Sequence, residues 1–477
     1  MSLGKLTAAV EILVFFSVVA VGVLCLLMDW LTPNGAVVLT ALLLVSLVLL
    51  SWKHFDQGRH PCFLFLCALL LLQGGRLLTY SIGSEPDPMR VRVLAPYPFN
   101  VSRDEAGLVL LCLALSAICI YAPSRWNYTP TPAPSDKPVT KYLPYLYFLF
   151  YASLPALAFK NYQYYEYAQQ HGGYALLFLN HAELAAAVPF IIRAAQAVTL
   201  PVYIAIFVFE RRRMALYITT ILYFAGASLV LLLGQRGGLF GLVLTLWYVS
   251  RTKSGKRSRF VALIALGAML FLVGDFIQKF REEGGASSYT FAPIEFVTLQ
   301  GNSLDVTEVA IKYRLVFAPY AASYLWNELQ DAFVARDASG YSRGLRLSHD
   351  ASVLLNAGEF SKGYGTAGSY LAEIYLIGGL TGVVVLSLMI GSGLQLMYRL
   401  SSSSWPLLFV AIIMPDVLLM PRGQLLDWLS VLFRHLLLLV LLWPGWLLYS
   451  FVGWMKATPR KSIQEWETGL TKTNQPI

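Results

Sequence analysis

The residues best suited to chemistry lie close together in the second half of the chain, in the run Ser348-His-Asp350. His349 is the only one of the six histidines that falls between positions 277 and 369. A solvated imidazole has a pKa of about 6.5, so it can take a proton from a hydroxyl group that acts as a nucleophile. Asp350 follows directly and is expected to assist it. The alternative is that His349 is an ordinary surface residue.

Five arginines could supply positive charge for such a reaction. A guanidinium forms bidentate hydrogen bonds with phosphate and keeps its proton in surroundings of low dielectric constant. Charged residues inside membrane-spanning segments are energetically unfavourable, and they usually face a cavity. Arginines that converge on one side of a membrane therefore predict a phosphate-bearing ligand, of which a pyrophosphate-linked lipid is the obvious candidate. The candidates are Arg193, Arg236, Arg343, Arg346 and Arg422.

Structural explanations are open for three of these arginines. Arg193 falls in the middle of a predicted span, where it could form an ion pair inside the helical bundle with Asp416 or Glu373. Arg236 and Arg422 lie close to the predicted membrane surface. There, a long side chain that reaches towards the headgroups is a sufficient explanation.

Two further residues suit a sugar substrate. Tyr364 offers an aromatic face on which a sugar ring can stack, although tyrosine is also a common anchor at the membrane surface. Glu373 is an acidic residue at the entry of a predicted membrane helix. The sequence contains no motif for nucleotide hydrolysis or zinc proteolysis. We therefore expect neither a metal nor a cofactor, and the energy has to come from an activated substrate.

The elements that position these residues are predicted to be membrane helices. Of the 477 residues, 57% are hydrophobic and 13% are charged, against about 25% charged in an ordinary soluble domain. A helix needs about 20 apolar residues to cross the hydrocarbon layer. Runs of that kind lie near 7–28, 35–52, 62–80, 106–123, 143–160, 184–208, 215–234, 238–250, 260–276, 371–397, 405–420 and 428–451. The sequence thus predicts an all-α integral membrane protein with about 12 transmembrane helices.

The distribution of charge predicts the orientation and the domain layout. Lys and Arg cluster in alternate connections, which places that side and both termini in the cytoplasm. The net charge of +9 is spread over these short clusters, so it indicates topology and not nucleic-acid binding. The predicted parts are transmembrane helices 1 to 9 in 1–276, one large external loop with short helices in 277–369, transmembrane helices 10 to 12 in 370–452 and a cytoplasmic tail in 453–477.

This layout resembles that of the Wzy-type O-antigen polymerases, which belong to a wider membrane family that includes the WaaL-type O-antigen ligases. The resemblance covers most of the chain as an arrangement of many spans, a short external Arg-Gly connection and one large late external loop. It is most specific in three stretches, which are Gly234-Gln-Arg-Gly-Gly238, Ser348-His-Asp350 and the glycine-containing helix entry from Gly368 to Gly382.

The resemblance implies a reaction at the periplasmic face of a bacterial inner membrane. The substrates would be oligosaccharides linked to undecaprenyl pyrophosphate, and the growing glycan would move onto the non-reducing end of a newly arrived repeat unit. Arg236 would bind the donor pyrophosphate and His349 would activate the acceptor hydroxyl group. The remaining predicted substrate-binding residues are Arg193, Arg343, Arg346, Arg422, Glu373 and Tyr364. A chain-length regulator and a flippase are the expected protein partners.

Three alternatives remain open from the sequence. An O-antigen ligase would use the same donor but would transfer the glycan to the lipid A core. A transporter or flippase would use the arginines to escort an anionic lipid, and against it stand the single bulky loop and the lack of evident internal repeats. A structural scaffold would not require arginines within the spans.

Overall fold

The computed structural model describes residues 3–28, 31–55, 58–84, 89–91, 99–130, 134, 142–170, 180, 184, 186–232, 236–255, 260–282, 293–331 and 341–436. Within these ranges the chain is helical apart from connections and one short strand pair. That pair joins Arg90–Val91 to Phe99–Asn100 in antiparallel register. The predicted all-α class is therefore confirmed for the described part of the chain.

The helices follow the chain in two groups. The first group is α1 (Leu3–Leu27), α2 (Pro33–His54), α3 (Pro61–Leu72), α4 (Gly75–Ser81), α5 (Arg103–Trp126), α6 (Leu143–Gln170), α7 (Phe190–Phe209), α8 (Arg213–Leu232), α9 (Arg236–Ser254) and α10 (Phe260–Glu282). The second is α11 (Pro293–Gln300), α12 (Ser303–Lys312), α13 (Arg314–Phe317), α14 (Ala321–Gln330), α15 (Leu347–Ser361), α16 (Tyr370–Leu400) and α17 (Ser404–Leu419). Short 3₁₀ turns lie at Ala318–Tyr320 and Met420–Arg422, and residues 427–436 are again helical.

Six helices in the described ranges are long and apolar enough to cross a membrane, namely Gly4–Leu26, Pro33–His54, Arg103–Trp126, Phe190–Phe209, Tyr370–Leu400 and Ser404–Arg422. A seventh span results if α3 and α4, which meet at an angle of 65°, are counted together. Helices α6, α8, α9 and α10 occupy four of the other predicted positions. The last predicted span, 428–451, lies mostly outside the described residues, so the number of about twelve spans stays a prediction.

Side-chain chemistry sets where the membrane helices begin. Helix α2 starts at Pro33, which needs no hydrogen bond for its nitrogen, and the Thr32 hydroxyl accepts from the Gly35 amide at 3.1 Å. Helix α5 starts with a reciprocal cap, because Ser102 Oγ accepts from the Glu105 amide while Glu105 accepts from the Ser102 amide. Both caps satisfy backbone donors that would otherwise be left without a partner at the helix end.

Helices α5 and α16 form the centre of the described bundle. The Ser116 hydroxyl of α5 lies 2.8 Å from the hydroxyl groups of both Tyr370 and Ser387 on α16. Gly391 lacks a side chain where the backbone of Ile120 comes closest. Small residues and shared hydroxyl groups of this kind allow membrane helices to pack closely, because hydrocarbon tails give no hydrophobic driving force between them.

The segment between α10 and α16 contains the short helices α11 to α15. Their apolar side chains pack with the first turns of α16 in a separate small core of Val306, Val309, Ala310, Phe317, Ala321, Tyr324, Leu347, Ala351, Ala372 and Leu376. The apolar periodicity of 306–333 predicts this helical order, and α12 to α14 confirm it. Because α15 packs into the same small core as α12, α14 and α16, His349 and Asp350 are held against those helices.

Candidate active site

The backbone at 343–346 is fixed by Asp350. Gly344 has φ +85°, a conformation that favours glycine, and a Cβ atom there would lie 2.6 Å from the Tyr320 ring. Its amide donates a 2.9 Å hydrogen bond to Asp350 Oδ2, and the Tyr324 hydroxyl donates to the same oxygen at 2.7 Å. Asp350 therefore positions the segment that carries Arg343 and Arg346.

The expected assistance of Asp350 to His349 stays a prediction, and the contacts of its carboxylate add a structural role. Consecutive residues of a helix point in different directions, and the Asp350 carboxylate is engaged by Tyr324 and Gly344 instead of by His349. The negative charge also raises the pKa of the Tyr341 hydroxyl to about 12, since burial and Asp350 both disfavour the phenolate. The structure gives Asp350 a positioning role.

His349 lies in the first turn of α15 and is only 9% exposed. Its ring centroid is 5.5 Å from that of Phe360. Burial and the nearby charge of Arg346 lower the pKa of His349 to about 4, because both disfavour the imidazolium ion. The imidazole is therefore neutral at neutral pH and can accept a proton.

The two arginines beside His349 are held in different ways. Arg346 forms an ion pair with Asp331, with Nη2 at 2.5 Å and Nε at 3.1 Å from the same carboxylate oxygen. The exposed guanidinium of Arg343 lies 5.3 Å from the centre of the Tyr320 ring, in a cation–π contact. Among the described residues, no ion pair joins Arg343 to a carboxylate, whereas Arg346 shares its hydrogen-bond donors with Asp331.

Two glutamates meet at the start of the helix at 427–436. Glu328 of α14 accepts from the Leu426 amide at 2.9 Å, and Glu373 of α16 accepts from the Leu425 amide at 2.7 Å. Both are buried, and the two carboxyl groups interact electrostatically. These contacts give Glu373 a structural role at the helix start, and its predicted role in orienting an arginine or a sugar stays a prediction.

Burial raises the pKa of Glu328 to about 7, and the charge of Asp427 acts in the same direction. The pKa of this carboxyl group is higher in the folded protein than in the unfolded protein, where it is 4.5. Its contribution to the free energy of unfolding is therefore fully present below pH 4.5. The contribution is lost as the pH rises towards the folded value of about 7. We expect the detergent-solubilised protein to unfold at a higher temperature at pH 5.5 than at pH 8.

The variant Glu328→Gln should flatten this pH dependence, because glutamine stays neutral and its carbonyl can still accept from the Leu426 amide. Glu359→Gln is the matched control, since the Glu359 side chain is 37% exposed and pairs with Lys362 at the surface. Thermal unfolding followed by tryptophan fluorescence between pH 5 and pH 8 measures both variants. An unchanged pH dependence in Glu328→Gln would show that Glu328 does not carry the protonation.

The other predicted residues are placed less closely together. Arg422 donates to Gln300 Oε1 at 2.6 Å, in the 3₁₀ turn that precedes Leu425. Tyr364 is 54% exposed just beyond α15. Arg236 is the first residue of α9, and its side chain lies outside the part of the molecule that is described.

The apolar run predicts that Arg193 lies in the middle of its span, but the structure places it near the beginning. Helix α7 begins at Phe190 after Pro189, so Arg193 lies in the first turn of a candidate span. Its expected ion pair with Asp416 or Glu373 is not found among the described contacts, and Arg193 Nε is buried there without a hydrogen-bond partner.

The residues missed by sequence reasoning are acidic. Glu328, Asp331 and Asp427 surround the Arg346 and Glu373 side chains. A partial signal was present, because Glu328 and Asp331 are separated by one helical turn in an otherwise amphipathic stretch. The proximity of Asp427 depends on a fold across the membrane domain, which no local pattern indicates.

Fold and site together define a multi-pass α-helical membrane protein. Its short helices between α10 and α16 hold an imidazole and two arginines, and a buried carboxyl pair lies between α14 and the candidate span α16. The sequence matches the family O-antigen polysaccharide polymerase Wzy over residues 10–450, and the chain belongs to that family. No curated protein and no solved structure matches the chain.

Membership confirms the resemblance drawn from the sequence. The family polymerises O-antigen units, and it acts on lipid-linked oligosaccharide repeat units in the membrane. Together with the helix content, the family supports a multi-pass protein of the bacterial inner membrane.

Proposed function

We propose that this protein transfers a growing glycan from undecaprenyl pyrophosphate to the non-reducing end of an incoming lipid-linked repeat unit, at the periplasmic face of the inner membrane. The observation that carries the proposal is the buried imidazole of His349 beside the guanidinium of Arg346 at the start of α15. A base and a cation placed together match the two demands of the reaction, which are an activated hydroxyl group and a stabilised anionic leaving group.

The chemical step follows from these two groups. His349 takes the proton of the acceptor hydroxyl group while the oxygen of that hydroxyl group attacks the anomeric carbon of the donor sugar. The bond from that carbon to the pyrophosphate oxygen breaks, and the electron pair leaves with the pyrophosphate. Arg343 and Arg236 bind the leaving group, and Arg346 contributes the charge it shares with Asp331. The proton then passes from His349 to solvent.

Anion binding would change the properties of the base. The positive charge of Arg346 is one of the two causes that lower the pKa of His349. A pyrophosphate bound to that guanidinium offsets its field, so the pKa of His349 rises towards its usual value when the donor is present. The imidazole then becomes a stronger base in the loaded site than in the empty one.

The remaining residues would contact the sugar or the edge of the site. Tyr364 is exposed beyond α15 and offers a face for stacking on the acceptor sugar. Arg422 extends the positive charge from the turn before the carboxyl pair. Reaction by direct displacement from an activated lipid requires no metal and no cofactor. A flippase and a chain-length regulator are the proposed partners, and both termini are placed in the cytoplasm.

The function is tested by deleting the gene in its source bacterium and separating the surface polysaccharide on a gel. We expect lipopolysaccharide cores that carry a single repeat unit, since units would still be delivered and attached but not joined. Complementation with the wild-type gene should restore the ladder of longer chains.

Two other banding patterns would contradict the proposal. A bare core, with lipid-linked polymer accumulating in the membrane, would make the protein a ligase. An unchanged ladder would point to transport of an anionic lipid as the function instead.

A further inference from the structure

Helix α15, which carries His349, is bent in its middle. At Asn356 the backbone leaves the helical conformation, with φ −162° and ψ 91°, and the Asn356 side chain then accepts from the Glu359 amide at 3.1 Å. In an unbroken helix the step from His349 to Phe360 would be a rise of roughly 16 Å. The centres of these two rings are instead 5.5 Å apart. The part of α15 after Asn356 therefore turns back towards its first turn.

Hydrogen bonds fasten the end of this return segment, residues 356–366, to the first half of α15. Gly363, with φ +91°, lets the chain reverse where the helix ends. The Thr366 amide then donates to Ser352 Oγ at 2.9 Å, and the Thr366 hydroxyl donates to the Ser348 carbonyl at 3.0 Å. Ser352 Oγ donates to the same carbonyl at 2.5 Å. The return segment is thus fixed to α15 at both of its ends.

Phe360 points from the return segment towards the imidazole. Its side chain is 5% exposed, whereas Ala357 and Gly358 on the outer side of the segment are exposed. The Phe360 ring also packs edge to face on Tyr341, with the ring centres 5.7 Å apart. One side of the buried His349 ring is therefore covered by an aromatic ring that has its own support.

We infer that Phe360 is a positioning residue for the reaction: the return segment keeps its ring against His349, which fixes the orientation of the imidazole and shields it from bulk water. This inference rests on the proposed function, in which His349 is the base. A fixed orientation matters because a displacement of about 1 Å at a reacting group can lower a rate by about 10²-fold. Ser352 and Thr366 act at one further remove, since they hold the return segment in place.

The titratable and charged groups around this pocket belong to four elements. They are Tyr341, Arg343 and Arg346 before α15, Tyr324 and Asp331 of α14, Asp350 of α15, and Glu359 and Lys362 of the return segment. Arg346 is the charge that, together with burial, lowers the pKa of His349 to about 4. Truncating the aromatic cover would reduce the burial and leave the charges in place. The pKa of His349 should then rise towards its usual 6.5.

The first measurement tests the shielding without using activity. Diethyl pyrocarbonate acylates an accessible, uncharged imidazole, and mass spectrometry of the digested protein gives the rate at each histidine. In the full-length protein in detergent, we expect His349 to react about tenfold faster in Phe360→Ala than in the wild type, because the ring no longer covers it. His54, which pairs with Glu11 between α1 and α2, should react equally fast in both. The matched control is Leu355→Ala, which shortens an apolar side chain of the same helix on the side of the small core and should change neither rate.

The second measurement is turnover of lipid-linked repeat units by the same proteins. Phe360→Ala should lower kcat by about 10- to 100-fold and leave KM within about twofold, because the ring does not touch the substrate. Its kcat/KM should fall between pH 7.5 and pH 5.5, since an exposed imidazole loses its basic form there. Phe360→Leu refills most of the space and should restore the flat profile. Ser352→Ala loosens the return segment without emptying the pocket, so it should show the same changes to a smaller degree and replaces Phe360→Ala if that variant does not fold.

Two results would overturn the inference. Equal acylation of His349 in the wild type and in both Phe360→Ala and Ser352→Ala would show that the ring does not shield the imidazole. Faster acylation with an unchanged kcat and a flat pH profile would show that the shielding does not serve the reaction. Normal polymer from His349→Ala would instead remove the proposed function, and the acylation rates would still report the contact between the two rings, so the two failures can be told apart.

Discussion

Replacing His349 by alanine is expected to abolish polymer formation while the protein remains in the membrane at its normal level. The imidazole is neutral and sits beside Arg346, so its removal takes away the proposed proton acceptor. Loss of a general base lowers a rate by about 10²- to 10⁴-fold. A cell that relies on the variant should therefore make cores with single repeat units.

A structural effect can be separated from a catalytic one. His349→Gln keeps a polar side chain of similar length in the same pocket against Phe360, and it should be inactive as well because an amide does not accept a proton at neutral pH. His54→Gln removes a histidine that pairs with Glu11 outside the segment, and it should leave the ladder unchanged. Normal polymer from a well-expressed His349→Ala protein would exclude His349 as the base.

The pH profile of the purified enzyme gives a second check on His349. Since the pKa of the empty site is about 4, the imidazole should not lose its basic form between pH 7.5 and pH 5.5 before substrate binds. The value of kcat/KM, which reports the free enzyme, should then be flat over this range. A fall with an apparent pKa of about 6.5 would mean that the imidazole behaves as a solvated histidine.

The sequence predicted the fold class because membrane spans have a strong local signal. Long apolar runs predict the spans directly. The predicted eighth span, 238–250, was short enough to continue past Arg251, and α9 does extend to Ser254. The weakest prediction from the sequence was the position of Arg193 along its span. An apolar run that starts at 184 does not show that the long helix begins only at Phe190, after the helical residues 186–187 and a break at Pro189.

The candidate site was predictable only in its local part. His349, Asp350 and Arg346 are neighbours in sequence, so their proximity needed no knowledge of the fold. The pairing of Glu328 with Glu373 at the amides of 425–426 brings three distant stretches together, and no spacing rule connects them. The contact of Asp350 with Tyr324 was not predictable for the same reason, because Tyr324 lies on another helix.

The largest expected effect on stability comes from the ion pair between Arg76 and Asp305. Both side chains are fully buried, and the pair ties the bent helix α4 to α12 in the segment that carries the candidate site. Asp305→Ala leaves the guanidinium buried without this carboxylate, which costs about 3–5 kcal/mol. We expect a strongly lowered unfolding temperature in detergent and cleavage of the 293–331 segment by trypsin under conditions in which the wild-type protein is intact.

Replacing both members of this ion pair should restore the stability that Asp305→Ala loses. The packing around the pair is tight, since the glycines at 75 and 301 allow the backbones of α4 and the turn before α12 to touch. A double variant, Arg76→Met/Asp305→Leu, replaces both charges by apolar side chains and should recover most of the lost stability, because a buried pair and a well-packed apolar pair are often nearly equivalent. Lys362→Gln removes one half of an exposed pair and should change neither readout. If Asp305→Ala unfolds at the wild-type temperature, the ion pair does not hold the segment to the spans. The position of His349 then depends on the other contacts of the segment, such as the apolar core around Tyr324 and the hydrogen bond between Glu328 and the Leu426 amide.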